Sequence, residues 1–321
     1  MIISIPKDAE LPLLGLIQIG VIDRGSNLLQ IRPTTLCNLN CIFCSTNPEC
    51  RSANYMINHD YLIKNLKEIL KEKQESDIEA NLDSAGEITT YPKLTELIKK
   101  LKAIPEIKFV SMQTNGTLLS KDKIIQLEKA GLNRINLSIH TLNPEQAKEL
   151  SGNQGYNINQ IMQTAREIKD SKIELIITPV WLPKINDKEI ANLIKFAKSI
   201  SSKIAIQKYE KYKYAKKAKI KQMNWFKFYR QLALWEKEYN IKLKYGPNDF
   251  NIHRTKKLLQ TMEKNKVYEA KIICEGWLKG QKIASANNRS ITILNSKKAI
   301  GEKTRVKILE NKNNIYIAEE K

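Results

Sequence analysis

Long apolar runs are missing from this sequence: nothing in its 321 residues approaches the roughly 18–20 apolar residues of a membrane span. Met1–Asp8 lacks the basic start of a secretion signal. A soluble, cytoplasmic chain with no membrane partner is the expectation. Cysteine is sparse too, with five residues, an odd number, three of them between positions 37 and 44. That pattern excludes an extracellular disulfide framework and points to a reduced compartment and a metal site. Acidic residues run short: 34 Asp and Glu face 54 Lys and Arg, leaving a formal charge of +20. Such a field gathers polyanions, so nucleic acid is the expected partner; a genome bias or hot habitat that favours Lys, Ile and Asn is the alternative.

From residue 27 to residue 200, extended apolar runs alternate with helical patterns. Candidate strands are Leu28–Arg32, Ile78–Asp83, Phe109–Gln113, Arg134–Ile139 and Ile173–Val180, with Lys203–Gln207 as a sixth. Helices are predicted at Tyr61–Lys71, Lys93–Leu101, Lys121–Ala130, Ile158–Lys169 and Lys188–Ser199. Strands separated by single helices imply parallel crossovers, hence a doubly wound sheet or a barrel. Ser120 and Asn186 are placed as N-caps and Gly131 as a stop. Leu16–Val21 and Leu28–Arg32 flank residues 23–27 as a hairpin. Asn224–Tyr239 is read as an aromatic, core-facing helix. After residue 266 the pattern turns to short strands between Gly, Asn, Lys and Ser turns, as in a small antiparallel barrel. Four segments follow: an N-terminal hairpin (1–27), a barrel core (28–245), a linker (246–266) and a small β-barrel (267–321).

Cys37, Cys41 and Cys44 sit in the loop after the first long strand. Thiolates suit iron–sulfur clusters, and three close cysteines leave one iron of a cube without a protein ligand, open to a small molecule. Zinc is the other reading, but it wants four ligands in pairs and no second Cys or His pair lies nearby. With Phe43 ahead of the last cysteine, the motif resembles the signature of the radical S-adenosylmethionine superfamily. The resemblance implies a partial (β/α)6 TIM-like barrel, a [4Fe-4S] cluster on these cysteines, and S-adenosylmethionine on the open iron. It also implies reductive cleavage to methionine and a 5′-deoxyadenosyl radical, with an electron donor such as ferredoxin or flavodoxin. Ala85-Gly86-Glu87-Ile88 resembles the family's Gly-Gly-Glu-Pro, which meets the methionine amino group. Thr114 and Asn115 after the third strand, Ser138 at the end of the fourth and Gln207 at the end of the sixth fall at further cofactor-binding positions that the resemblance implies.

The tail resembles a TRAM domain, an RNA-binding barrel of the oligonucleotide-fold kind. The residues that carry this are Gly276-Trp277-Leu278-Lys279-Gly280, Ser290–Ile293, Gly301-Glu302, Arg305–Ile308 and Ile315–Glu319. The whole pattern resembles archaeal radical S-adenosylmethionine proteins. Trp277, Lys279, Arg305 and Lys307 are candidate RNA contacts, unless the barrel serves packing alone. Lys208–Lys221 is a second candidate, with Lys211, Lys213, Lys216 and Lys217 interleaved with tyrosines; a solvated linker is the bland alternative. His140, Cys50 and Cys274 are candidate catalytic residues, against ordinary structural roles. Radical modification of a nucleotide in structured RNA, with tRNA the expected form, is the leading function. A radical enzyme acting on a peptide or small metabolite is the alternative, and a non-catalytic iron–sulfur RNA-binding protein the third. Oligomeric state is not legible.

Overall fold

The computed structural model describes residues 1–212 and 215–321, and the chain divides into two compact units. The first gathers Met1–Leu36, Glu49–Val110 and Ile252–Lys321; the second gathers Cys37–Pro48 and Ser111–Asn251. No helix among the described residues is long and apolar enough to cross a membrane.

In the first unit, Gly20–Asp23 pairs antiparallel with Leu28–Arg32 across a turn in which Asp23 Oδ1 accepts the Gly25 N–H. The hairpin is present, but its first strand starts at Gly20 rather than Leu16. Leu28–Arg32 then pairs parallel with Ile78–Leu82, a strand buried at every residue. Helix His59–Lys73 makes that crossover; Asn58 caps it by accepting the Asp60 and Tyr61 N–H groups. Its last residue, Lys73, is fully buried and pairs with buried Asp23 at 3.0 Å. Removing either partner would strand a charge in the interior.

The tail folds as a closed barrel of five strands: Val267–Glu275, Lys282–Ala286, Arg289–Leu294, Lys303–Glu310 and Ile317–Glu320. Alternating residues such as Ile272, Ile291, Ile293, Val306 and Ile308 fill it with Tyr316. The expectation of an all-antiparallel barrel needs one correction, since Ile317–Glu320 closes the ring parallel to Arg289–Leu294. This barrel belongs with the N-terminal strands. The Ser290 N–H donates to Leu14 O, and Tyr316 N–H to Gly15 O. A Cβ at Gly15 would stand 2.0 Å from Ser290 O, so only glycine allows that approach. The segment read as a linker is tied down as well: Asn27 exchanges hydrogen bonds with His253, and Leu258 and Met262 are buried.

In the second unit, Ser111 to Thr114, Arg134–Leu137, Glu174–Ile177 and Lys203–Ile204 lie parallel in that order. Helices Lys121–Lys129, Ile158–Lys169 and Asp187–Ser199 fill the crossovers. All four strands therefore end at one rim. A second parallel pair, Val180–Trp181 with Gln207–Lys208, extends beyond it. Ser120 caps its helix as expected, through the Lys123 N–H. Asn186 holds the N-cap position without a cap bond; its side chain instead bridges His140 O, Val180 O and the Leu182 N–H. The aromatic helix Trp225–Tyr239 faces the core along one stripe only, Phe228, Leu232 and Trp235. Trp225, Phe226 and Tyr229, expected inside, are exposed.

Candidate cofactor site

The cysteine loop belongs to the second unit and is held at three points. Ile42 and Phe43, between the second and third cysteines, pack on a small core of Leu150, Leu182, Tyr209 and Ile220. The Phe43 ring meets the His140 imidazole edge-on, centroids 4.7 Å apart. Polar bonds fix the start of the loop: Asn115 Nδ2 donates to Asn38 Oδ1 at 3.0 Å, and Asn38 Nδ2 to Thr117 Oγ1 at 2.7 Å. Asn115 Oδ1 in turn accepts the Thr117 N–H and hydroxyl. Lys216 closes the far side, its N–H bonding Cys44 O at 2.9 Å and its ammonium Asn40 O at 3.3 Å.

Cys37 is exposed, and Cys41 and Cys44 are half-buried. Burial, and then the neighbouring Cys44 and Cys37, push the Cys41 thiol up to about 12, while Lys216 pulls the other way. Three thiols of one loop thus stand within electrostatic reach of each other. No set of three Cys, His, Asp or Glu side chains among the described residues stands ready as a closed metal cage. The donor set fits an iron–sulfur cluster: thiolate is the right ligand, and a cation at these sulfurs would supply the charge that makes them give up their protons.

Of the expected cofactor residues, Thr114 turns its side chain to the backbone. Thr114 is buried, and its hydroxyl accepts the Gly116 N–H at 3.0 Å. Ser138 lies one residue past its strand, which ends at Leu137 rather than Ile139, and its N–H bonds Thr114 O. Gln207 is exposed, with its N–H on Pro179 O at 2.7 Å. His140 Nδ1 accepts the Val180 N–H at 3.0 Å, so the neutral ring carries its proton on Nε2. Burial pushes the His140 pKa down to about 4.

The first unit holds the acidic loop. Glu87 is buried, and Glu87 Oε1 accepts the Thr89 N–H at 3.0 Å and the Thr89 hydroxyl at 2.7 Å. Its own N–H donates to Leu36 O, one residue before Cys37. A Cβ on Gly86 would lie 2.0 Å from that same carbonyl, which explains glycine there. Arg51, which sequence reasoning missed, fastens this loop: its guanidinium donates to Thr35 O at 2.6 Å and Ala85 O at 2.9 Å. Over it lies Trp277, 5.1 Å from guanidinium carbon to ring centre. Trp277 is buried, and its expected role as an exposed stacking ring is corrected accordingly. Lys279 and Arg305 are exposed and Lys307 half-buried. Cys274 is buried, and burial with Glu275 nearby lifts its thiol to about 12, which keeps it protonated; Cys50 is exposed. Among the tail-side lysines, Lys211 and Lys217 are exposed, Lys216 is committed to the cysteine loop, and Lys213 lies outside the described residues.

The model of the Radical SAM superfamily matches residues 31–197. An uncharacterized protein of Methanocaldococcus jannaschii is 38% identical over 96% of this chain and 78% of its own length. GTP 3',8-cyclase of Aquifex aeolicus is 29% identical over 56% of this chain and 55% of the cyclase. The solved structure of Streptococcus suis SuiB bound to S-adenosylmethionine superposes with a TM-score of 0.53 at 21% identity, over 68% of this chain and 50% of SuiB. The chain therefore spans about half the length of the cyclase and of SuiB. The SuiB likeness supports a TIM-barrel-like fold for the core. On the family match and the M. jannaschii relative, the chain belongs to the radical SAM superfamily, with a [4Fe-4S] cluster and S-adenosylmethionine as its cofactors.

Proposed function

We propose that this radical SAM enzyme modifies a nucleotide within structured RNA, tRNA being the form we expect. A cluster held by Cys37, Cys41 and Cys44 would supply the electron for reductive cleavage of S-adenosylmethionine, while the polypeptide positions, orients and keeps dry. Cys37, Cys41 and Cys44 are assigned as ligands. Gly86 and Glu87 are assigned to the methionine end, and Asn115 and Ser138 to the rest of the cofactor. A neutral His140 is suited to packing and to accepting hydrogen bonds, and acquires a charge only in acid. An electron donor of the ferredoxin or flavodoxin type completes the system.

The observation that carries the RNA reading is the charge balance, +20 on 321 residues. Radical chemistry on a small metabolite needs no such excess, whereas binding a polyanion draws on it directly. A relative that is named for action on GTP supports a nucleotide as the reacting unit. A free nucleotide or a peptide is the second reading, favoured by that same cyclase and by the SuiB structure with its precursor peptide.

Nucleoside masses of tRNA from cells with and without this protein give the direct test: one modified nucleoside should vanish with the protein. Oxygen-free, reconstituted protein should bind tRNA with an affinity that falls steeply with salt. Cys41→Ala should abolish deoxyadenosine formation while the fold survives. Identical nucleoside profiles together with salt-insensitive RNA binding would transfer support to the second reading.

A further inference from the structure

Helix Trp225–Tyr239 is anchored before its exposed face is considered. Asn224 caps it by accepting the Lys227 N–H at 2.8 Å. Its buried stripe meets Trp181, whose ring lies 5.9 Å from Phe228 and 4.9 Å from Trp235. Trp225 at 54%, Phe226 at 73% and Tyr229 at 48% exposure nevertheless stand largely in water, although Trp225 and Tyr229 each meet the buried Phe228 ring edge-on, at 5.8 and 5.5 Å. Three large rings left in water within one helical turn and a half are a costly surface for a soluble chain, and such patches mark binding sites.

The rings are also organised. Trp225 and Tyr229, four residues apart, stack with centroids 5.7 Å apart and planes inclined by 24°. The Lys208 ammonium sits 4.7 Å from the centre of the Trp225 ring, fixing its orientation. Lys208 is itself buried and paired with Glu210 at 2.6 Å, so it is part of the mounting. In the segment that leads into the helix and on its first turns, Lys217, Lys219, Lys221, Lys227 and Arg230 are exposed; residues 217–230 contain no Asp or Glu, and Glu210, which accepts from Gln222, is taken up by Lys208.

We propose that this face is a docking platform for single-stranded nucleic acid, with bases stacking on Trp225 and Tyr229 and phosphates held by the surrounding lysines. Charge decides the occupant: a second copy of this +20 chain would be repelled, while a polyanion with planar faces satisfies both rings and cations. An anionic membrane would match the charge, yet interfacial helices present aliphatic side chains alongside the rings, and the N-terminal turns here present none. The platform rests on the RNA reading above and gives it a place on the molecule.

The test uses the full chain with its cofactors and a fluorescein-labelled single-stranded RNA of about 12 nucleotides, a length within the reach of such platforms. Trp225→Ala with Tyr229→Ala should weaken binding about tenfold or more, with a cooperative thermal transition and the salt dependence retained. Lys219→Ala with Lys221→Ala should instead flatten the logarithmic salt slope by about 1.4. Undiminished RNA affinity in the aromatic variant would overturn the proposal. So would a loss confined to phosphatidylglycerol vesicles or to a polyglutamate peptide. RNA binding that depends on the rings without any change in cellular nucleosides would remove the substrate reading and leave the platform. A nucleoside change with normal affinity in the aromatic variant would do the converse.

Discussion

Two tryptophans each carry a cation on the ring, and they lie in segments that look alike in sequence, basic and aromatic. Trp277 sits under Arg51 at 5.1 Å and is 6% exposed; Trp225 sits under Lys208 at 4.7 Å and is 54% exposed. Their surroundings differ in kind. In the small barrel, strand pairing sets cations opposite acids: Arg305 faces Glu269, Lys307 faces Glu319, and Lys303 reaches Glu269 at 2.9 Å. Along residues 217–230 no acid is present to answer the cations. A ring beside a cation is thus enclosed in one place and left open to solvent in the other. Pairing, which sequence does not display, decides between them.

The contrast has measurable edges. Trp277→Ala should cost about 3–5 kcal/mol in denaturant unfolding, as large buried rings do. If stability holds and only RNA affinity falls, Trp277 is a stacking residue and the contrast fails. Arg51→Ala removes the donors to Thr35 O and Ala85 O, about 1–3 kcal/mol for each carbonyl left buried. It should also weaken S-adenosylmethionine binding by loosening the loop of Gly86 and Glu87, and Arg51→Lys should restore part of both.

A smaller effect separates the ring-packed anchor of the cysteine loop from the hydrogen-bonded anchor of the acidic loop. Because the folded His140 titrates near 4 and a free histidine near 6.5, the unfolded chain takes up a proton between those values and the folded chain does not. Stability should therefore fall as pH drops from 6.5 toward 4, by up to about 1.4 kcal/mol per pH unit. His140→Asn keeps an acceptor for the Val180 N–H and should flatten that decline; an equally steep decline in the variant would place the titration elsewhere. The smallest change is expected from Arg305→Ala and Lys307→Ala together, less than about threefold in RNA affinity, since surface cations that face acids contribute little. A loss comparable to that of the Trp225 and Tyr229 variant would return the RNA surface to the tail.

The alternation of strands and helices was legible because apolar residues are periodic: Ile78, Ala80 and Leu82 alternate with Glu79 and Asn81 as in a strand, although all five are buried, and Ile158–Lys169 shows its inward stripe at helical spacing. Helix Pro144–Ser151 escaped notice despite Asn143 capping it, since eight residues with Ala147 and Leu150 as inward apolar positions are too few for a period. The cysteine cluster was legible from its spacing, and the structure keeps its three thiols within one loop. Arg51 was not, because its partners are backbone carbonyls, which every residue has. Asn186 looked like a cap and sits where a cap would, yet carbonyls distant in sequence claim its side chain. The burial of Trp277 had one faint signal, the preceding Gly276, where a Cβ would come within 2.3 Å of Gln281.

The parallel closure of the small barrel sets how the tail behaves when damaged. Ile317–Glu320 is hydrogen-bonded on both sides, to Arg289–Leu294 and to Lys303–Glu310. While it is in place, the ring offers no strand edge for a neighbouring molecule to extend. Trimming those four residues would open two edges at once, so loss of a short peptide there would convert a self-contained barrel into a template for intermolecular sheet growth.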